Sequence, residues 1–460
     1  MRIAVVGAGA VGGAIAAVAD RAGYELVVTA RGEHLATIQR DGLRLSGAWG
    51  DHLAHPRAAE TLLDLPDVAS REWRPDLALL CVKAQDARSA LAANAPVLDG
   101  VPLVVVQNGL GGAESAAAQM PGTPVIGALA LFAASYLEPG RISITASGST
   151  YLGRVAPPTP PAGGPPSPAP HTSVAATRDE AAALRLAESL APLDDAAALR
   201  PADESLAPAA SPDDTAAPRP AADAHPPVPT FAPPDDAAAL RLAVDALSPV
   251  MPRSPSDEAT ALHPTDESLA PAAPRDDAAA LRLAVDALSP VMPIETTDDF
   301  AGAQWTKLLV NHVNALPAIT GLSVQQTIAD PRLRAVLLAS MKETIGIARA
   351  KGVHFAPVQG LDDRLLRFVQ RAPRILAQLV PRAMARRMGS TPNPGSTLQS
   401  IRRGQLTEID HLNGAVVVAA ATLSRPAPVN ATLVTLVHAV EHDHRFRTPT
   451  EVTAALHSRR

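Results

Sequence analysis

The sequence predicts a two-part α/β protein: an N-terminal doubly wound parallel sheet of Rossmann type, then an all-α C-terminal domain. Three observations predict it. A short apolar strand, Arg2–Val6, runs straight into Gly7-Ala8-Gly9-Ala10-Val11-Gly12 and a helical pattern. Short apolar segments then alternate with alanine-rich helical ones as far as residue 154. From residue 276 onward apolar residues recur at three- and four-residue spacing instead.

Taken in order, the strand candidates of the first zone, 1–154, are Arg2–Val6, Leu26–Thr29, Leu77–Val82, Leu103–Val106 and Val125–Leu129. Amphipathic alanine-rich segments such as Gly12–Ala22 and Asp86–Ala95 lie between them. The second zone, 155–275, is dense in Pro, Ala, Asp and Ser, and it repeats itself. The 18-residue string DDAAALRLAVDALSPVMP occurs at 235–252 and again, unchanged, at 276–293. The copies are too few and too broken by proline to stack as a solenoid, so a disordered Pro/Ala-rich insertion is expected. The third zone, 276–460, reads as a helical domain, with apolar spacing through Ala335–Ile347, Leu365–Leu379 and Leu412–Leu423.

Bulk properties narrow the classes. Of 460 residues, 47% are hydrophobic, enough for a sizeable core, but only 3% are aromatic, so Ala, Val and Leu must fill it. A net charge of −6 gives no reason to expect nucleic acid or an anionic membrane as partner. The lone Cys81 excludes an internal disulfide framework and fits a reducing cytosol. No apolar run reaches the roughly 18 residues of a membrane span. The glycines at 7, 9, 12 and 13 make a poor signal core, so cytoplasmic residence is expected. No His/Cys/Asp cluster has metal-ligand spacing, so no metal is expected.

The glycine string has a geometric logic. Gly7 permits the tight turn, Gly9 admits a pyrophosphate against the backbone, and Gly12 lets helix and sheet close up. Ala10 and Val11 open the helix, whose free N–H groups suit an anion. At the end of the second strand stands Thr29-Ala30-Arg31-Gly32, with no carboxylate before Glu33. Arg31 suits a ribose 2′-phosphate, so NADPH is the expected cofactor.

Further clusters lie where ligands bind in such sheets. Lys83 and Asn108 follow the third and fourth strand candidates. Trp305-Thr306-Lys307-Leu308-Leu309-Val310-Asn311 is expected to open a helix. Lys307, Asn311 and Asn314 then fall at i, i+4 and i+7, on one helix face. Ser396 precedes Glu408 by twelve residues.

With these residues in this order, the sequence resembles the ketopantoate reductase (2-dehydropantoate 2-reductase) family over about 1–154 and 276–445. The resemblance implies a substrate cleft between a Rossmann domain and a helical domain. It implies a catalytic lysine at Lys307, an essential glutamate at Glu408 and active-site asparagines at Asn108 and Asn311. It implies a substrate-binding serine at Ser396 and a cofactor-side lysine at Lys83. Two positions depart from the family. Where it often has a second asparagine, Ala315 stands, with Asn314 the nearest candidate. Four residues after Ser396, where it often has aspartate, stands Ser400.

The expected activity is NADPH-dependent reduction of 2-dehydropantoate to pantoate, on the way to pantothenate and coenzyme A. The alternatives are the same hydride chemistry on another 2-keto acid, or an NADP-binding sensor without turnover. The expected partner is a small 2-keto acid, with a homodimer as a possible assembly.

Overall fold

A computed structural model describes residues 1–155, 276–387 and 392–457. The expected insertion, and the repeat copy at 235–252, lie outside the described residues. The strands are β1 (Arg2–Val6), β2 (Glu25–Thr29), β3 (Leu43–Gly47), β4 (His52–Ala54), β5 (Arg57–Ala59) and β6 (Leu77–Leu80). They continue with β7 (Leu103–Val106), β8 (Val125–Ala130), β9 (Ala133–Glu138), β10 (Arg141–Ala146), β11 (Thr150–Arg154) and β12 (Ile294–Thr297). Helices α1 (Ala10–Arg21), α2 (Gly32–Asp41), α3 (Pro66–Ala69), α4 (Ala84–Leu98) and α5 (Gly112–Gln119) connect the earlier strands.

The main sheet runs β12-β11-β8-β7-β6-β1-β2-β5. Every neighbouring pair from β8 to β5 is parallel, and β11 lies antiparallel to β8. Strands such as β6 (Leu-Ala-Leu-Leu) and β7 (Leu-Val-Val-Val) are buried along their whole length, which is why they read as continuous apolar runs. The chain winds outward from β1 through β2, then returns to β6 on the other side. The carboxyl ends of β1 and β6 therefore flank a topological switch, where the glycine string and Lys83 both emerge.

A second sheet, β4-β3-β10-β9, was not foreseen. It covers the outer side of α1. Leu43, Leu45, Ile142 and Ile144 join Ala14, Ile15 and Val18 in one core. The segment Gly12–Ala22 is therefore not amphipathic as expected, since Gly12 through Ala19 are all buried. A helix held between two sheets has no wet face to keep polar.

The junction with the helical part also moves. Residues 277–297 belong to the sheet, not to the helical domain expected from 276. Helix α6 (Asp277–Leu288) buries Ala280, Ala284, Ala287 and Leu288 in the same core as α1. The Asp276 side chain caps it by accepting from the Ala279 N–H at 2.8 Å. The Tyr24 hydroxyl donates to the Ala287 carbonyl at 3.0 Å. Strand β12 then pairs in parallel with β11, Thr150 opposite Ile294. β11, α6 and β12 thus form one crossover unit, and the low-complexity tract falls in its strand-to-helix connection.

Beyond β12 the described residues are almost wholly helical. Helix α7 (Phe300–Asn311) starts five residues before Trp305, because Asp299 caps it by accepting from Gly302 N–H at 2.8 Å. The long helix Pro331–Ala350 forms the centre, with Pro428–Asp443, Asn413–Ala421 and Pro449–His457 packed against it. The apolar stretch Leu365–Leu379 is not one helix. Asp363–Arg371 stops at Ala372, whose extended backbone is what a following Pro373 demands. No described helix is long and apolar enough to cross a membrane.

Because α6 runs back along β11, its first turn and the end of β11 lie at the same end of the sheet. Joining Val155 to Asp276 through a short Gly/Ser linker should therefore give a folded protein. Loop length weighs little here, roughly 0.6 kcal/mol per doubling. The check is the solubility and thermal midpoint of that variant beside the full chain. An insoluble product or a much lower midpoint would show that residues 156–275 belong to the fold.

Candidate active site

The glycine turn is shaped as its spacing requires. Gly7 has φ +100°, and a Cβ there would strike the Val82 side chain and backbone. A Cβ on Gly12 would collide with the Gly7 carbonyl and with Cys81. Gly9 has open space around it. Two glycines are thus needed for packing and one leaves room for a ligand. The turn is fastened from β2: Gly7 N–H donates to Thr29 Oγ1 at 2.9 Å and Ala8 N–H to the Thr29 carbonyl at 2.8 Å. Ala10, Val11 and Gly12 begin α1, whose first N–H groups lack helical acceptors. An open Gly9 beside those donors fits a dinucleotide pyrophosphate. Arg31 is exposed just past β2, and its side chain makes no hydrogen bond or ion pair among the described residues.

Lys307 is placed by packing. Gly127 on β8 and Gly153 on β11 leave a notch that the Phe300 ring fills. That pins the start of α7 to the sheet. Seven residues on, two turns along the same face, Lys307 reaches the carboxyl end of β8. Its Nζ donates to the Ala130 carbonyl at 2.6 Å, and the residue is 6% exposed. Burial pushes its pKa down to about 8, against the opposing pull of the Glu408 carboxylate.

Glu408 collects donors from the sheet domain. Asn108 Nδ2 donates to one carboxylate oxygen at 3.3 Å and Ala84 N–H to the other at 3.4 Å. The approach depends on Gly109, at φ +86°, where any Cβ would collide with the His411 carbonyl. Lys83 leans to the helical side as well. Its Nζ donates to Ser400 Oγ at 3.2 Å and to the Leu406 carbonyl at 2.7 Å. Burial lowers its pKa, Glu408 pulls it back up, and Arg403 lowers it further.

Lys307, Glu408, Asn108 and Lys83 therefore meet at the carboxyl edge of the sheet. Asn311 lies one turn beyond Lys307, and its Nδ2 is buried without a partner, a donor left for a ligand. Asn314 does not continue that face as expected. The helix ends at Asn311 and a 3-10 turn, His312–Asn314, follows. At about 3.0 residues per turn, against about 3.6, that turn rotates Asn314 further round. Asn314 instead packs on Gly395, where an added Cβ would lie 2.6 Å from its Oδ1. Ser396 is exposed inside helix Gly395–Arg402, which Pro394 rather than Ser396 precedes as N-cap. His312 is buried between the Leu308 carbonyl and Thr344 Oγ1, and burial pushes it down to about 4, so it is neutral packing. Among the described residues no cluster could hold a metal ion.

One residue that the sequence did not signal braces the cofactor turn. His34 Nδ1 accepts from Gly140 N–H at 2.9 Å, so Nε2 carries the proton and donates to the Ala8 carbonyl at 2.7 Å. The partners lie 26 and 106 residues away, so no local motif could have shown the tie.

The family model "Ketopantoate reductase PanE/ApbA" matches residues 3–157, and its C-terminal counterpart matches 299–441. The chain belongs to the ketopantoate reductase family. The 2-dehydropantoate 2-reductase of Halobacterium salinarum is 34% identical over 158 residues, 34% of this chain and 49% of that protein. That of Aquifex aeolicus is 28% identical over 148 residues, 32% of this chain and 44% of that protein. The chain thus spans about half the length of these curated relatives. A PanE/ApbA family ketopantoate reductase from Ralstonia eutropha JMP134 superposes with TM-score 0.58 at 22% identity, covering 96% of this chain and 99% of that one. D-mandelate dehydrogenase with NADH and anilino(oxo)acetate gives TM-score 0.58 at 16% identity, with the same coverage. These two likenesses are of fold.

The glycines make opposite demands that can be measured. Gly12→Ala should destabilise the protein by about 1–3 kcal/mol, the usual scale of overpacking. Gly9→Ala should leave the thermal midpoint unchanged and weaken nucleotide binding. Denaturation and cofactor titration of both variants check this. Equal loss of stability in both would mean that Gly9 is also a packing glycine.

Proposed function

We propose that this chain catalyses the NADPH-dependent reduction of 2-dehydropantoate to pantoate, in the cytoplasm. The observation that carries the proposal is a buried lysine beside a carboxylate and an asparagine, at the same sheet edge as a dinucleotide-shaped glycine turn. We assign cofactor binding to residues 1–155 with 277–297, and substrate binding largely to the helices from 300 on.

NADPH, when bound, supplies the hydride. The rest falls to the chain. Gly7, Gly9, Ala10, Val11 and Gly12 would hold its pyrophosphate, and Arg31 would pair with its 2′-phosphate. Lys307 steadies the negative charge that develops on the substrate oxygen and then protonates it. Depressed to about 8, Lys307 gives up a proton more readily than an ordinary lysine, yet still carries it at neutral pH. Glu408 accepts from a substrate hydroxyl while favouring the charged form of Lys307. Asn108 orients Glu408, and Asn311 and Ser396 offer donors to the remaining oxygens. Another 2-keto acid is the second reading, because Ser400 and Ala315 stand where the family often has aspartate and asparagine.

The deciding assay follows NADPH oxidation with a panel of 2-keto acids. The proposal expects 2-dehydropantoate to have the highest kcat/KM. A bulkier aromatic keto acid leading the panel would favour the second reading, and no turnover with any would favour the sensor.

Lys307→Ala should lower kcat roughly a hundredfold or more while NADPH binding persists, the scale of general acid catalysis. In the parent protein the reduction rate should fall as pH rises through about 8, where Lys307 loses its proton. A variant that keeps most of its turnover would show Lys307 to be structural.

The parent protein should prefer NADPH to NADH by roughly tenfold or more, about 1.4 kcal/mol. Arg31→Asp should narrow or invert that preference. Equal affinity of the parent for both cofactors would overturn the role given to Arg31.

A further inference from the structure

Glu408 lies on a stretch with little regular structure of its own. It precedes a 3-10 turn, Ile409–His411, and leads into helix Asn413–Ala421. Local bonds there are few: His411 N–H and Leu412 N–H both donate to the Glu408 carbonyl, at 3.0 and 3.1 Å. Asn108 and Ala84 hold the Glu408 carboxylate itself, Ile409 and Leu412 are buried in the helical core, and further anchoring comes from helix Pro428–Asp443. Glu441 accepts from Thr407 N–H through Oε1 at 2.8 Å. Its Oε2 lies 2.7 Å from His438 Nδ1. The other ring nitrogen, His438 Nε2, lies 2.9 Å from Asp410 Oδ1. One imidazole thus bridges two carboxylates, and those carboxylates grip the chain on either side of Glu408.

We propose that His438 is a positioning residue, an imidazolium latch that fixes Glu408 against Lys307 and Asn108 by tying down Asp410 and, through Glu441, Thr407. The inference rests on the roles given above to Lys307 and Glu408. Its chemistry is simple. A carboxylate cannot donate, so both ring nitrogens must carry protons for both contacts to be hydrogen bonds. An ion pair at the surface contributes little stability by itself. Here the side chains are 44% exposed for His438, 50% for Asp410 and 11% for Glu441, so the latch acts chiefly on geometry.

The hydrogen bonds that Asp410 and then Glu441 accept from the ring push the His438 pKa up to about 10, well above the usual 6.5. A raised value means that the tie is present at neutral pH and is lost as pH rises through about 10. Lys307 feels the latch indirectly. Glu408 is the charge that raises it against burial, and Lys83, itself influenced by Arg403 and Asp86, faces the same carboxylate. If Glu408 drifts, Lys307 loses support and gives up its proton at lower pH.

The experiment measures kcat and KM from pH 6 to 9.5 for the full chain and for His438→Gln, with NADPH affinity alongside. The best substrate of the keto acid panel serves as the probe. The latch predicts a KM rise of about tenfold, a misplacement effect. It also predicts a basic limb of kcat/KM moved to lower pH, with NADPH affinity unchanged. Asp410→Asn removes one anion without changing size and should move both quantities in the same direction, by less. It decides the matter if His438→Gln does not fold. Lys307→Ala in the same series separates the two levels of the account. Turnover retained by Lys307→Ala overturns the proposed mechanism itself. An inactive Lys307→Ala beside latch variants with parental KM and parental basic limb overturns the latch alone.

Discussion

The site depends on keeping one ammonium group out of water. Lys307 is 6% exposed, and an isolated charge so placed would shed its proton. Two acceptors offset that tendency: the Ala130 carbonyl at the end of β8, and the field of the Glu408 carboxylate. One comes from the sheet and the other from the helical part. Each feature that holds those two in register therefore serves the chemistry. Phe300 seated over Gly127 and Gly153 fixes the helix, and Gly109 lets the Asn108 loop meet the Glu408 loop.

The same logic explains the frame around the cofactor turn. A helix whose N-terminus must meet a pyrophosphate needs its axis fixed to the sheet. Here α1 is fixed from both sides, by the main sheet beneath and by β3 and β10 above. Gly12 and Gly13 make this possible, since a Cβ on either would strike a neighbour, the Gly7 carbonyl or the Ile142 side chain. His34 adds a cross-tie from Ala8 to the turn before β10. Packing, more than charge, positions the glycine turn and the start of α1.

Much of this was legible in the sequence because it is local. The central strands are unbroken apolar runs, and the glycine string sits between a strand and a helix. Lys307, Glu408 and Asn108 were picked out by the resemblance to the family, and the structure brings them together. What was missed has other causes. Strands β3 and β10 alternate, with Leu43, Leu45, Ile142 and Ile144 buried, a period-2 signal that a search for continuous apolar runs passes over, and β4 has only three residues. Helix α6 reads like the helices that follow it, and its packing with α1, together with the pairing of β12, assigns it to the sheet. Asn314 was misplaced because a 3-10 turn interrupts the α-helical count. His34 ties residues 26 and 106 positions away, and His438 joins its helix neighbour Glu441 to Asp410, 28 residues back, contacts that no periodicity shows.

The account makes Lys307 a buried ammonium that Glu408 keeps charged. The most direct test is the titration of its side-chain nitrogen by NMR, in the full chain and in Glu408→Gln. The account predicts a midpoint near 8 in the parent protein and a clearly lower one in the variant. A midpoint near the ordinary lysine value of about 10.5, the same in both proteins, would contradict it.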